Sequence, residues 1–234
     1  MAREKVFRFK QFNVLNDKTA MKVGTDGVLL GAWCDVANAH RVLDVGTGCG
    51  LISLMVAQRN ASALIHGIDI DDGAIAEAQY NFAQSPWTSR LSAEIADFNQ
   101  FDSGAYDLIV SNPPFFNNGV LPPSTSRTLA RHSTTLTIEA LIGRSSSLLS
   151  PEGVIAIITP ADVEHAVRRC IVQFGLGLRR FTRVVPVAGA PMKRLLWEIV
   201  ASDVETVVDT ITIAQDNHSY TQQYRELTSG FYLE

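Results

Sequence analysis

The sequence predicts an α/β domain: a mostly parallel sheet with helices on both faces and a final antiparallel hairpin. Three observations carry this. From residue 41 onward, short apolar runs alternate with helical stretches, the pattern of βα units. A glycine-rich turn, Gly46-Thr47-Gly48-Cys49-Gly50, joins the first run to the first helix. The last two runs are separated only by Ala188-Gly189-Ala190-Pro191, too short for a crossover helix, so they pair antiparallel.

In order, Arg41–Val45 reads as a strand and Leu51–Asn60 as a helix. Ala63–Asp69 is a strand, Gly73–Phe82 a helix, Leu91–Ala96 a strand and Tyr106–Ser111 another. These runs are short, apolar and bounded by turn residues, as buried strands are. Ile138–Leu149 reads as a helix and Gly153–Thr159 as a strand. Asp162–Phe174 sets Val163, Ala166, Val167, Cys170, Ile171 and Phe174 on one stripe, the spacing of an amphipathic helix. Strands near Leu178–Val187 and Lys193–Ser202 close the series. Residues 1–40 form an N-terminal extension, 41–202 the core and 203–234 a C-terminal extension of one 234-residue domain.

The bulk numbers exclude several classes. An apolar fraction of 46% suits a soluble core, and no uninterrupted apolar stretch approaches the roughly 20 residues of a membrane span. Met1-Ala2-Arg3-Glu4-Lys5 leads into no apolar signal region. Three scattered cysteines (Cys34, Cys49, Cys170) and five histidines without ligand spacing argue for a reducing, cytoplasmic setting and no metal. The net charge of −4 hides segregation. Residues 1–22 carry six bases against two acids; residues 165–197 carry seven bases and no acid; residues 61–112 carry eight acids and one base. Such segregation permits a phosphate-attracting surface on an acidic chain, or separate solvated faces.

The chemistry sits at the strand ends, where open α/β sheets bind ligands. The glycine turn follows Asp44 and is spaced Gly-x-Gly-x-Gly. The dinucleotide fingerprint Gly-x-Gly-x-x-Gly fails, since its third position is Leu51 or Ser53. A cofactor without a pyrophosphate but with an amino-acid end fits better. The second strand ends at Asp69-Ile70, 19 residues beyond Gly50, where an acid can accept from both ribose hydroxyls; Asp71 or Asp72 caps the next helix. The third ends in Asp97-Phe98, which is either an adenine contact or a loop start. The fourth ends in Asn112-Pro113-Pro114-Phe115. An amide oxygen and a carbonyl followed by a proline can accept both N–H bonds of a planar amine while the ring stacks on it.

Together these elements resemble the S-adenosylmethionine-dependent methyltransferases, and Asn-Pro-Pro-aromatic resembles the subset that methylates planar nitrogens. Phe12-Asn13-Val14, the run Met21-Lys22-Val23-Gly24-Thr25-Asp26-Gly27, Asn81-Phe82-Ala83-Gln84-Ser85-Pro86-Trp87 and Asn217-His218-Ser219-Tyr220-Thr221 resemble the bacterial tRNA(Val) adenine-N6 methyltransferases, which act on position 37 beside the anticodon. The resemblance implies a Rossmann-like seven-stranded methyltransferase sheet, S-adenosyl-L-methionine as cofactor, and a tRNA anticodon loop as partner of a monomer or weak dimer. It implies that Asp44, Gly46, Gly48 and Gly50 cradle the methionine end, with Thr25 and Asp26 nearby. Asp69 and Ile70 would hold the ribose, Asp97 and Phe98 the adenine, and Asn112, Pro113, Pro114 and Phe115 the target base.

Phe116 to Thr137 is long for a connection in a compact domain. It reads as a substrate lid or a surface loop, with Arg127 and Arg131, like Lys193 and Arg194, as RNA contacts. Asn-Pro-Pro-Phe does not by itself separate adenine N6 from guanine N2 in ribosomal RNA or from a release-factor glutamine N5. The last would need a helical domain before the glycine turn, where only 40 residues precede Arg41. A non-catalytic nucleotide-binding module would have no need of a second amine-gripping element.

Overall fold

The computed structural model describes residues 6–19, 21–113, 136–217 and 219–233. Among these, the elements run β1 (Val6–Arg8), β2 (Asn13–Leu15), α1 (Thr25–Trp33), β3 (Arg41–Val45), α2 (Leu51–Arg59), β4 (Leu64–Asp69), α3 (Asp72–Ala83), β5 (Leu91–Ile95) and β6 (Tyr106–Ser111). They continue α4 (Ile138–Ser147), β7 (Leu149–Pro160), α5 (Glu164–Gln173), β8 (Gly177–Val187), β9 (Arg194–Val200), β10 (Val207–Ala214) and α6 (Gln222–Thr228).

The central sheet has the order β10-β8-β9-β7-β6-β3-β4-β5. All seven expected strands are present. β9 is antiparallel to both β7 and β8, and the other pairs are parallel. An eighth strand, β10, comes from beyond residue 202 and pairs parallel with β8. Its sequence, Val-Val-Asp-Thr-Ile-Thr-Ile-Ala, alternates and so belongs at a half-covered edge. β7 starts earlier than expected because a bulge shifts its register between Tyr106 and Leu108, taking in Pro151 and Gly153. Residues 161–163 form a 3-10 turn before α5.

Strand alternation sorts the core into two layers. Val42, Leu108, Val110, Ala156 and Ile158 face α1, α2 and α3; Leu43, Val45, Ile109, Ile155, Ile157 and Trp197 face α4 and α5. Three helices start on side-chain caps: Asp71 accepts from Ala74 N–H, Thr137 from Ala140 N–H and Thr221 from Tyr224 N–H. On the α1 face, the Trp33 indole N–H donates to Thr182 Oγ1 at 3.0 Å.

The N-terminal extension is bound to the core by α3. Asn81 Oδ1 accepts from Leu15 N–H at 2.8 Å, and its Nδ2 donates to Leu15 O at 2.9 Å and Cys49 O at 2.8 Å. One turn earlier, buried Glu77 accepts from the backbone N–H groups of Asp17, Lys18 and Thr19 and from the Thr19 hydroxyl. Burial opposes the Glu77 charge, but these hydrogen bonds, Thr19 foremost, outweigh it and hold the carboxyl below its ordinary range.

Removing the Asn81 amide strands buried backbone groups at both of its ends. Asn81→Ala is expected to lower the unfolding free energy by about 2–3 kcal/mol. The measurement is the urea midpoint at unchanged m-value, and a shift below about 0.5 kcal/mol would refute the tie.

Candidate active site

The parallel strands end together. Val45 pairs with Ile68 and with Ser111, Ser111 with Ile157, and Asp69 with Ile95. The glycine turn, Asp69-Ile70, Asp97 and Asn112 therefore follow one row across the sheet's carboxyl edge. Ser111 reinforces the row by donating its hydroxyl to Val45 O at 2.8 Å.

Gly46, Gly48 and Gly50 all have positive φ (70°, 56° and 82°), a conformation that L side chains resist. A Cβ at Gly46 would meet nothing within 4 Å, so this backbone faces open space; a Cβ at Gly50 would run into the Phe82 ring. Asp44 lies fully buried beneath the turn. Its Oδ2 accepts from Thr47 Oγ1 at 2.8 Å, Ser53 Oγ at 2.7 Å and Ser53 N–H at 3.2 Å. Its Oδ1 has no partner. Asp44 thus braces the turn from below. Burial pushes its carboxyl up to about 6, against the pull of the Ser53 and Thr47 hydrogen bonds.

Asp69 is half-buried at the end of β4. Its oxygens accept from Gly48 N–H and Asp71 N–H, each at 3.0 Å, and burial raises its pKa despite these bonds. Each oxygen keeps a lone pair for a further donor. Ile70 beside it is 41% exposed, an apolar patch at the edge. Asp97 accepts from Asn99 N–H and Asn99 Nδ2, both at 2.9 Å. The Phe98 ring is packed in the core against the α4 and α5 layer, so the exposed apolar surface at this edge comes from Ile70 and from Ile95, the strand partner of Asp69.

A cleft of about 550 Å³ opens beside this row. Asn112 and Pro113 line it, facing Asp26 of α1, Pro160 at the end of β7, and Lys193 and Arg194 at the start of β9. Arg194 Nε donates to Asp26 Oδ2 at 2.7 Å, closing one wall. Asp26 and Arg194, expected in separate roles, thus form one ion pair. Thr25, the first residue of α1, is exposed. Pro114, Phe115, Arg127 and Arg131 lie outside the described residues.

Much of the basic charge is used internally. Lys22 Nζ donates to the carbonyls of Asn16, Asp17 and Thr19. Arg179 pairs with Glu198 and Asp35, and Arg180 with Asp209. These cations hold elements together, so clustering in sequence overstated the exposed charge. Met21, named only within the run that begins with it, also lines the cleft, as does Met192, which had not been singled out. Nor had Glu77, although Glu77 and Asn81 stand four apart among alanines on one helix face, a readable signal.

The family model for the methyltransferase small domain matches residues 21–167. Relatives named tRNA1(Val) (adenine(37)-N6)-methyltransferase match nearly end to end. The Phocaeicola vulgatus protein is 45% identical, covering 97% of each chain; that of Vibrio vulnificus is 40% identical, covering 99% of this chain and 97% of its own. The chain belongs to this methyltransferase family. Among solved structures, a predicted O-methyltransferase from Agrobacterium tumefaciens shares the fold at a TM-score of 0.70 and 17% identity, covering 88% of this chain and 96% of that one. Magnesium protoporphyrin IX methyltransferase from Synechocystis PCC 6803, solved with bound SAM, aligns at a TM-score of 0.51 and 20% identity over 74% of this chain and 76% of that one. Among the described residues no group of three His, Cys, Asp or Glu could hold a metal, and no helix is long and apolar enough to cross a membrane.

The raised Asp44 pKa has a thermodynamic sign. The folded state holds this proton more tightly than the unfolded chain, so stability is lost as pH rises from 3.8 to about 6 and stays lower above. The loss is about 3 kcal/mol. Asp44→Asn is expected to abolish it: urea unfolding at pH 4 and pH 7 should show the variant gaining on the wild type by about that amount. An equal difference at both pH values would refute the assignment.

Proposed function

We propose that this chain transfers a methyl group from S-adenosyl-L-methionine to N6 of adenine 37 in a tRNA anticodon loop, that of valine tRNA, in the cytoplasm. The observation that carries this is the convergence of Asn112 and Pro113 on a cleft beside the glycine turn, in a chain 40–45% identical over almost its whole length to tRNA1(Val) (adenine(37)-N6)-methyltransferases.

The residues present fit the cofactor. Gly46 offers open backbone, the unpartnered Asp44 Oδ1 leaves an acceptor beneath the turn, and Asp69 retains acceptor capacity for vicinal hydroxyls. Ile70 gives an apolar surface for a purine, with Asp97 as acceptor for its amine. When bound, the cofactor supplies an electrophilic methyl on sulfur.

The target N6 lone pair is delocalised into the purine and is a poor nucleophile. Asn112 Oδ1 and the Pro113 carbonyl accept its two N–H bonds, draw the nitrogen toward tetrahedral geometry and aim it along the displacement axis. This is positioning and electrostatics. No general base is required as the bond forms, because the nitrogen becomes acidic only after methylation; the C–S bond breaks to leave a neutral thioether, and the proton of the methylated nitrogen then passes to water. The base enters the cleft by leaving its stack, at lower cost from a loop than from a duplex.

Asn112→Ala is expected to leave cofactor affinity within about threefold while kcat falls by at least about 100-fold. Transfer of labelled methyl to unmodified tRNA, with nucleoside mass spectrometry, reads both the rate and the product. A near wild-type rate overturns the mechanism. Product on guanine N2 or on a protein glutamine overturns the substrate.

A further inference from the structure

Six of the seven bases of residues 165–197 divide by the face they occupy. Arg179, Arg180 and Arg194 are ion-paired to Glu198, Asp209 and Asp26. Arg168 and Arg183 converge elsewhere. Their guanidinium carbons lie 4.8 and 5.3 Å from the centre of the same buried ring, Phe181, and Arg168 is also 5.5 Å from the Trp197 ring. Both cations lie against one ring, whose negative face favours holding them there and leaves their N–H groups able to donate to an outside anion. Among the described residues, Glu164, at 2.8 Å from Arg168, is the acid paired with either of them.

This spot lies on a sheet face that no helix covers fully. Phe181 pairs with Val208 and Arg183 with Thr210 across β8 and β10. Val208 is 52% exposed, and Arg183 and Thr210 are exposed too. The same face leads to the cleft. Arg183 pairs with Leu195 of β9, two residues from Lys193, which lines the cleft wall. Lys193, Arg183 and Arg168 thus mark a path of cations from the cleft across β9 and β8 toward the open face of β10.

We propose that Arg168 and Arg183, with Lys193 at the cleft rim, form a docking surface for the phosphate backbone of the RNA substrate, outside the catalytic cleft; this rests on the tRNA reading above. The occupant is a polyanion because the fixed groups are guanidiniums on aromatic supports, which suit phosphate oxygens and carry no base-reading element. It is an RNA strand rather than a free anion because the cations are strung along a path that starts at the cleft.

The test is tRNA binding by fluorescence anisotropy at several salt concentrations, for the wild type, R168Q, R183Q and the double variant. Melting temperature and cofactor affinity are measured alongside, and glutamine keeps part of each stem over the rings. The double variant is expected to bind tRNA about tenfold more weakly, with the slope of log Kd against log salt reduced by about 0.7–0.9 per lost cation. Its kcat at saturating tRNA and its cofactor affinity should be unchanged. An unchanged salt slope in folded variants overturns the surface, and if the double variant does not fold, the single variants decide. Methylation in the same samples tests the reaction separately. N6-methyladenosine with an unchanged slope sinks the surface alone, whereas a reduced slope without methylation supports the surface and sinks the reaction. Wild-type binding to polyglutamate but not to tRNA assigns the face to a protein partner and overturns the proposal.

Discussion

The Asp44 carboxylate receives the hydroxyls of Thr47 and Ser53 and the Ser53 backbone N–H in a site closed to water. That cluster holds the chain from the end of β3 into the first turn of α2, through three left-handed glycines. The row of strand ends is organised around it. Gly48 N–H is aimed at Asp69, Cys49 O at Asn81, and the Gly46 and Thr47 N–H groups at Ile68 O. Keeping a carboxylate in this place costs stability at neutral pH. Its return is a stretch of backbone whose polar groups are oriented before any ligand arrives, so little reorganisation remains to be done on binding.

The N-terminal extension is integral to the same construction. Asn81 bonds Leu15 of β2 with both ends of its amide and the glycine turn with its Nδ2, and Glu77 gathers the N–H groups of residues 17–19 one turn away. Thr19 consequently lies against Gly48, and the chain continues through Met21 to Asp26, both on the cleft. The C-terminal extension closes the arrangement from outside: Lys10 N–H donates to Phe231 O, and the Phe9 and Tyr232 rings stack. A disturbance at either end of the chain therefore has a short physical route to the turn.

Charge follows a similar logic. The acidic total says little about partners, because three of the six clustered arginines are spent on ion pairs within the fold. Those on the α1 face are neutralised by Glu198, Asp209 and Asp26; Arg168 has both ring contacts and the Glu164 carboxylate, while Arg183 is supported by the Phe181 ring. Supporting a cation on a ring keeps its charge available to an outside anion, whereas an ion pair spends it.

The strand ends and the residue types at them were legible in the sequence because they depend on local rules. Short β-branched runs, glycines at a turn needing positive φ, and an acid or amide at a strand's carboxyl end are written within a few residues of one another. The parallel strands and their antiparallel closing hairpin followed from connection length. The edge strand β10 was not legible, since its weak alternation gains stability only from the β8 edge beside it. Nor were the Asn81 tie, the Asp26–Arg194 ion pair or the inward packing of Phe98, because each depends on groups far apart in the chain. Arg194 and Asp26 are 168 residues apart, and Asn81 and Leu15 are 66 apart. Residue types and local spacing by themselves determined which polar groups stand at the strand ends. Only tertiary packing decided which of its charges and amides are spent on holding the fold and which are left facing the cleft, because that choice depends on which side chains from distant segments come within hydrogen-bonding distance.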